Sequence, residues 1–478
     1  MNTKNIIWER LDSPLEILLN DENFCFDNNI NLFNVKFKRN EEYELVAIFN
    51  GHVDENTVAN KIFQFFESNA EFVIKSLNEP NDIKFRCKSI FNLEYKLNIY
   101  SVTLLLYSLE YGDFDTDCEW MSRWYINGPK MNFPKSSVYL DSNSNPYKSL
   151  SENKELQINF INGVNYFLVE PENTNSFIVS KITKTLTPSW SSKIGIDFFK
   201  EFGFPQKENI KQIEEILSFV FARSLINIGE SYFDKRGTIL GFKAYNPPLS
   251  SMLNLKHICS ENGIPPTKFS PQNNEIEEVL AFLLDEYIKS EINYTNVFGY
   301  LRESLNLPSF VSIILVASSL DFLSNDYFNK KSMTEQYHLP PNEFESIIGD
   351  ELKKIDEKLK NYNNVVDIIH GAYEKRGVIR LDAFFEKLEI QVTNFEKKSF
   401  FYRHIPSHGN ILDLNKAKKF QLRTIVYRTI VYRCILKSLN YDGKYYDFFS
   451  KTNKDLKEPI KKSDFNDVLH SLDVIIMD

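Results

Sequence analysis

The chain has 478 residues, too many for one ordinary core and enough for two or three domains. Hydrophobic residues make up 42% and aromatics 14%, with 40 Phe, which is ample material for packed interiors. The net charge of −9 argues against a surface coated in basic residues and so against general nucleic-acid binding. The charge is uneven, however. Between Leu414 and Lys462 thirteen Lys/Arg stand against four Asp/Glu, a local +9 that leaves −18 elsewhere. Such a segment suits a confined polyanion site, but on charge alone a solvated helix face beside a basic linker is the better account.

Five scattered cysteines without CxxC spacing read as reduced thiols, neither zinc ligands nor a disulfide framework. The opening residues lack the apolar run of a signal peptide. The longest apolar stretch, Phe310 to Leu323, is interrupted by Ser312, Ser318, Ser319 and Asp321, too short and polar to span a bilayer. A soluble, cytoplasmic protein without membrane contact is expected.

Residues 1–248 are predicted to form a β-rich domain, sandwich-like or a curled sheet, with one packed helix. Val35–Lys38 and Tyr43–Phe49 flank a turn at Arg39–Glu42. Ile83, Phe85 and Cys87, then Leu93, Tyr95, Leu97 and Ile99, alternate as in half-buried strands. Asn162-Gly163 supplies turn residues for a hairpin in QINFINGVNYFLVE, and Phe177–Ile182 continues the sheet. Ile210, Ile213, Ile216, Leu217 and Val220 mark a helix running to about Ile228, before a strand at Thr238–Tyr245. Five prolines between Asn246 and Asn274 set a linker over residues 249–274.

Beyond it the pattern is helical. Helices are expected at Glu275–Glu291, Ser309–Phe328, Asn342–Tyr362 after Pro340-Pro341, Leu381 to about His404 (one helix or a broken pair), and Asn415–Leu439. The last contains an echo, RTIVYRTIVYR, expected in a buried, tightly packed helix. The domain is placed at 275–450, with a charged linker and short amphipathic tail over 451–478. The fold class is thus α+β: a β-rich domain followed by an all-α bundle.

The chemistry concentrates in RHIPSHGN, Arg403 to Asn410, in a chain with only seven histidines. A guanidinium grips phosphate as a permanently charged fork, and an imidazole moves protons near neutral pH. In an unbroken helix Arg403 and His408 would point roughly 140° apart. Pro406 cannot continue the hydrogen-bond ladder, so a kink or end is predicted near His404, bringing His408 back towards Arg403. A helix that simply ends in an exposed Arg and an exposed His fits the same letters.

At this point the chain resembles the HEPN superfamily, in particular ApeA-like HEPN proteins of prokaryotic anti-phage defence. Arg403, the polar His404 and His408, followed by Gly409, fill that family's Arg-polar…His pattern. The helix with Leu315, Ala317, Leu320, Asp321 and Leu323 is similar to the family's opening helix. ILKSLNYDGKYYDF is similar to its closing helix and Tyr-x-Gly-x-Tyr turn. Pro406 inside the motif is a departure. The resemblance covers roughly residues 275–450. It implies a dimerising helical bundle that cleaves RNA without metal or cofactor, as an abortive-infection effector whose front half senses a phage component or restrains the nuclease. In that reading His408 takes the ribose 2′-OH proton, Arg403 stabilises the phosphoryl charge, and His404 protonates the leaving oxygen or positions the phosphate. RNA, tRNA among the candidates, is the expected partner, with Tyr402, Asn410, Lys419 and Arg423 as further contacts.

Other patterns carry less. His370-Gly371 has Val365 where an Arg would stand. Asp113, Asp115, Asp117 and Glu119 lack the glycine and twelfth-position Glu of a calcium loop. No phosphate-binding GxxxxGK[ST], GxGxxG or GxSxG motif is present. The rival from another class is a non-catalytic scaffold that dimerises or binds RNA, with a β-rich domain recognising protein or glycan.

Overall fold

The computed structural model describes residues 11, 15–19, 30–40, 43–53, 71–74, 83–96, 99–112, 118–127, 149–150, 156–157, 164–169, 177–182, 194–200, 204–234, 239–247, 263–268, 275–305, 307–331, 337–359, 369, 377–407 and 414–474. The fold is mixed, a curled antiparallel sheet followed by a helical region. The chain divides into two compact units. One comprises Met1–Glu214, Arg223–Asn262 and Ser270–Ala281; the other comprises Glu215–Ala222, Gly263–Phe269 and Phe282–Asp478.

The first unit is built on ten strands: β1 (Leu15–Leu18), β2 (Ile30–Arg39), β3 (Leu45–Val53), β4 (Glu71–Ile74), β5 (Ile83–Lys96), β6 (Ile99–Gly112), β7 (Trp120–Ile126), β8 (Ile194–Phe199), β9 (Ile226–Phe233) and β10 (Ile239–Tyr245). The expected hairpin around Arg39 is present as β2–β3, with Asn40 Oδ1 accepting from the Glu44 amide at 2.7 Å. Strand β6 is where the sheet forks. Along one edge it pairs with β5 over its length. Its other edge is shared: Ile99–Leu105 pair with β3 and Ser108–Gly112 with β10. Arg39 clasps the fork, donating from Nη1 to the carbonyls of Tyr43 (3.2 Å) and Tyr245 (3.1 Å) and from Nη2 to that of Ile228 (2.6 Å). At the end of β6, Gly112 adopts φ +95°, and a Cβ there would strike the Leu240 carbonyl, so no larger residue fits.

Alternation explains the core on one side of the fork. Phe37, Phe49, Phe85, Val102, Leu104 and Leu109 are buried together. Ile83, Phe85 and Cys87 point inward as expected, and burial pushes the Cys87 thiol up to about 11. Ile99 does not: it is exposed, while Tyr100 is buried. The β5–β6 ladder slips at Arg86/Cys87, Cys87/Ser89 and Ile90/Asn92, and each one-residue slip exchanges inner and outer faces. Val164–Val169 pairs with Phe177–Ile182 in a separate two-stranded sheet, and the expected Asn162-Gly163 turn lies outside the described residues. The predicted helix is shorter than expected. Helix α1 (Lys207–Phe221) stops at Ala222, which takes φ 49°, and Ile226 and Ile228 belong to β9 instead.

The second unit contains residues 215–221 of α1, Phe282–Lys289 of α2 (Glu275–Lys289), α3 (Tyr294–Leu305), α4 (Ser309–Lys330), α5 (Pro341–Leu359), α6 (Gly377–Lys387), α7 (Leu414–Ser438) and α8 (Lys462–Val474). The echo in α7 packs as expected, with Val426, Tyr427, Ile430, Val431, Tyr432 and Ile435 buried. Helix α4 has 22 residues and is long and apolar enough to cross a membrane by length and composition alone. Three of its serines, Ser312, Ser319 and Ser324, are buried in the interior and satisfied there. Ser312 Oγ accepts from Arg428 at 2.7 Å, and Ser319 Oγ donates to the Val297 carbonyl at 3.1 Å. Small side chains at these places let α3 and α4 approach closely.

The bundle is not all-α. Lys444–Asp447 and Thr452–Asp455 form an antiparallel hairpin, β11–β12, across the expected boundary between the helical domain and the linker that was to follow residue 450. It is entered through Asn440, at φ 56°, and Gly443, whose place against the Tyr441 ring leaves no room for a Cβ. Within the expected linker, Pro266 accepts a hydrogen bond from the Tyr446 amide at 2.8 Å, and Lys268 and Asn453 exchange two more. Helix α8 is likewise packed, Phe465 lying 5.2 Å from Phe395 and 5.4 Å from Phe449 between ring centroids.

At the centre of this unit Arg433 and Glu396 are both 0% exposed and form an ion pair at 3.0 Å. Arg433 also donates to the carbonyls of Leu456 (2.9 Å) and Gln391 (2.8 Å). Glu396 accepts from the amides of Thr393 (2.8 Å) and Ile460 (3.0 Å), completing a capping box with Thr393. Removing one member of such a pair strands the other charge in the core. Glu396→Ala and Arg433→Ala are each expected to lower unfolding stability by about 3–5 kcal/mol. Urea titration followed by the far-UV and tyrosine signals checks this, since all four tryptophans lie in the first unit, and losses under 1 kcal/mol would contradict it.

Candidate functional site

The predicted helix from Leu381 to His404 is a series of short pieces. After α6 the chain turns at Glu389, φ 54°, and the capping box starts a single α-turn, Asn394–Lys397. A 3-10 helix then runs Lys398–Arg403, followed by one α-turn, His404–Ser407. The expected change of backbone does fall at His404, although Pro406 does not end the helix. It stands third in a new turn, where its missing N–H has no intrahelical carbonyl to serve.

The 3-10 helix has an inner and an outer side. Ser399 and Phe400 are buried, Phe400 with its centroid 4.9 Å from the Tyr427 ring. Lys398, Phe401 and His404 are exposed, Phe401 at 62%. Arg403 lies between the two sides. Its Nη1 donates to Asp321 Oδ2 on α4 at 2.9 Å, and its Nε points to His404 Nε2 at 3.4 Å. Behind them sits the buried Tyr427 hydroxyl, close enough to Arg403 to feel its guanidinium. Burial holds its pKa well above the usual tyrosine value, while the charges of Arg403 and Asp321 act on it in opposite senses.

Arg403 and His404 are thus adjacent in space, with Asp321 as a third member that the motif did not identify. A paired acidic residue on a different helix leaves no signal at local spacing, although the apolar pattern of α4 broken by one Asp was visible. His408 and Asn410 lie outside the described residues, as do His370-Gly371 and Asp113–Asp117.

The expected RNA contacts separate. Lys419 is exposed near the start of α7, and Tyr402 is half-buried with its ring 5.8 Å from Phe420. Arg423 is a correction. It is only 6% exposed, with its guanidinium 4.4 Å from the Phe395 centroid, 4.8 Å from Phe465 and 5.8 Å from Tyr402. It donates to the Phe395 carbonyl at 2.7 Å and Ser399 Oγ at 3.3 Å, and burial pulls its pKa below the usual value against the opposing effect of Tyr402. A cation enclosed by three rings serves the packing of the 3-10 helix and is not presented to a phosphate.

Among the described residues no group of three or more His, Cys, Asp or Glu is placed to hold a metal ion. Comparison with protein-family models, with curated proteins and with solved structures finds no match for this chain.

The structural role of Arg423 gives a direct expectation. Arg423→Ala should cost about 1.5–3 kcal/mol of stability, the scale of hydrogen bonds made by a buried charged group. Thermal unfolding measures it; a variant as stable as the parent would show that the aromatic enclosure contributes nothing.

Proposed function

We propose that this chain is a metal-independent endoribonuclease of the HEPN type, a cytoplasmic effector of anti-phage defence. What supports the reading best is the placing of Arg403. Asp321 orients one edge of its guanidinium, and an exposed imidazole lies beside it at the end of a short, firmly capped segment. That combination offers a fixed positive fork and a titratable ring to one phosphate.

In this mechanism His408 removes the proton from a ribose 2′-OH, and the freed oxygen attacks the adjacent phosphorus. Arg403 stabilises the charge that builds on the non-bridging oxygens. The 5′ oxygen departs with a proton from His404, or from His408 of a second copy. The products are a 2′,3′-cyclic phosphate and a 5′-OH end. The helical unit acts as a homodimer in which two motifs face each other, and the β-rich unit responds to a phage component. The substrate is RNA, with tRNA among the candidates.

One observation favours the rival scaffold reading: the Arg403 charge is already paired with Asp321. The two readings part in a single experiment. RNA is incubated in EDTA with the parent protein, Arg403→Ala and His408→Ala, and product ends are mapped. The nuclease reading expects cleavage by the parent to cyclic phosphate ends and a loss of about 10²-fold or more in each variant. Equal cleavage by all three, or products with 3′-OH ends, would overturn it.

A further inference from the structure

A 3-10 helix has three residues per turn, so side chains at i and i+3 eclipse one another. In Lys398–Arg403 this rule has a consequence that the α-helical spacing of the motif conceals. Lys398 and Phe401 lie in one row on the outer side, and His404 follows in register at the first residue beyond. The row reads cation, aromatic ring, imidazole, and the last member touches Arg403. Phe401 is the unusual part. It is 62% exposed although Phe400, next to it, is 3% exposed and packs on Phe385 and Tyr427. The inner side of the segment is fully supplied with aromatic contacts, and Phe401 adds nothing to it.

A projecting ring flanked by a lysine and next to an arginine matches how proteins hold unpaired nucleotides. A base stacks on the ring face while cations follow the backbone. We infer that Phe401 is a base-stacking platform, with Lys398 contacting the neighbouring phosphate, and that the substrate is therefore single-stranded RNA or an RNA loop. A base inside a duplex has no free face to offer the ring. This inference rests on the nuclease reading above and narrows its substrate class. Protein interfaces also ring an aromatic anchor with polar side chains, so burial of Phe401 against a second copy is the outcome that the oligomeric-state arm of the test separates.

Binding is separated from cleavage by a fluorescein-labelled 12-nucleotide RNA carrying 2′-O-methyl groups throughout, which lacks the attacking hydroxyl. Fluorescence anisotropy is read for the parent, Phe401→Ala, Phe401→Leu, Phe401→Trp and Lys398→Gln, with the single strand and with its perfect duplex. The expected result is a loss of about tenfold in single-strand affinity for Phe401→Ala and for Phe401→Leu, on the scale of one stacked base, with Phe401→Trp at least as tight as the parent. Lys398→Gln should reduce the salt slope by about one. On cleavable RNA the Phe401→Ala defect should lie mainly in KM.

Equal single-strand binding by the parent and Phe401→Ala would overturn the inference. So would duplex bound as tightly as single strand, or a Phe401→Ala variant whose only change is in oligomeric state by light scattering. None of these removes the nuclease reading, provided that Arg403→Ala and His408→Ala still abolish cleavage. Loss of that dependence would remove both.

Discussion

The second unit depends on one concealed charge pair. A guanidinium and a carboxylate with no solvent at all are costly to bury, and the cost is offset only because nearly every polar atom on both is used. The partners come from widely separated parts of the chain: the turn at 391–396, the last third of helix α7, and the segment at 456–460 after the C-terminal hairpin. None of these pieces can shift without unpairing a charge. The pair therefore sets where the capped turn at Asn394 begins, and everything up to His404 follows within two more turns.

From that anchor the candidate site acquires its rigidity in steps. Glu396 closes the capping box, Arg423 stacks among Phe395, Phe465 and Tyr402, and Phe400 fits against Tyr427. Arg403 then meets Asp321 from the facing helix. Two arginines of the same basic segment are consumed in this support, which changes the meaning of the local positive charge. Two of its thirteen cations are internal structure, so the exposed share is somewhat smaller than the composition suggests.

Legibility followed the range of the forces involved. The β2–β3 hairpin and the helices at 275, 309, 341 and 414 were readable because turn chemistry and helical periodicity are local. Three kinds of feature were not. The hairpin at 444–455 uses two four-residue strands rich in charge, too short for alternation to register. Ile226–Ile228 continued an apolar rhythm past Phe221, but the positive φ at Ala222 opens a four-residue turn, 222–225, that separates helix from strand. The burial of Arg423 and Arg433 is decided by partners at 393–399, 456–460 and 465, and nothing adjacent in sequence announces it. At the site itself, Arg403 and His404 were legible as chemistry, whereas the pairing of Asp321 with Arg403 and the outward row of side chains emerge only from three-dimensional packing.

The helix type of Lys398–Arg403 has a mechanical corollary. A 3-10 helix advances 120° per residue and about 2.0 Å along its axis, whereas an α-helix advances 100° and 1.5 Å. Over the six steps from Lys398 to His404 the tighter winding completes two whole turns. Rewound as an α-helix, the same residues would fall a third of a turn short and about 3 Å nearer together. The alignment of cation, ring and imidazole is thus a property of pitch, and a change of one residue in the hydrogen-bond step would dismantle it with every side chain unaltered.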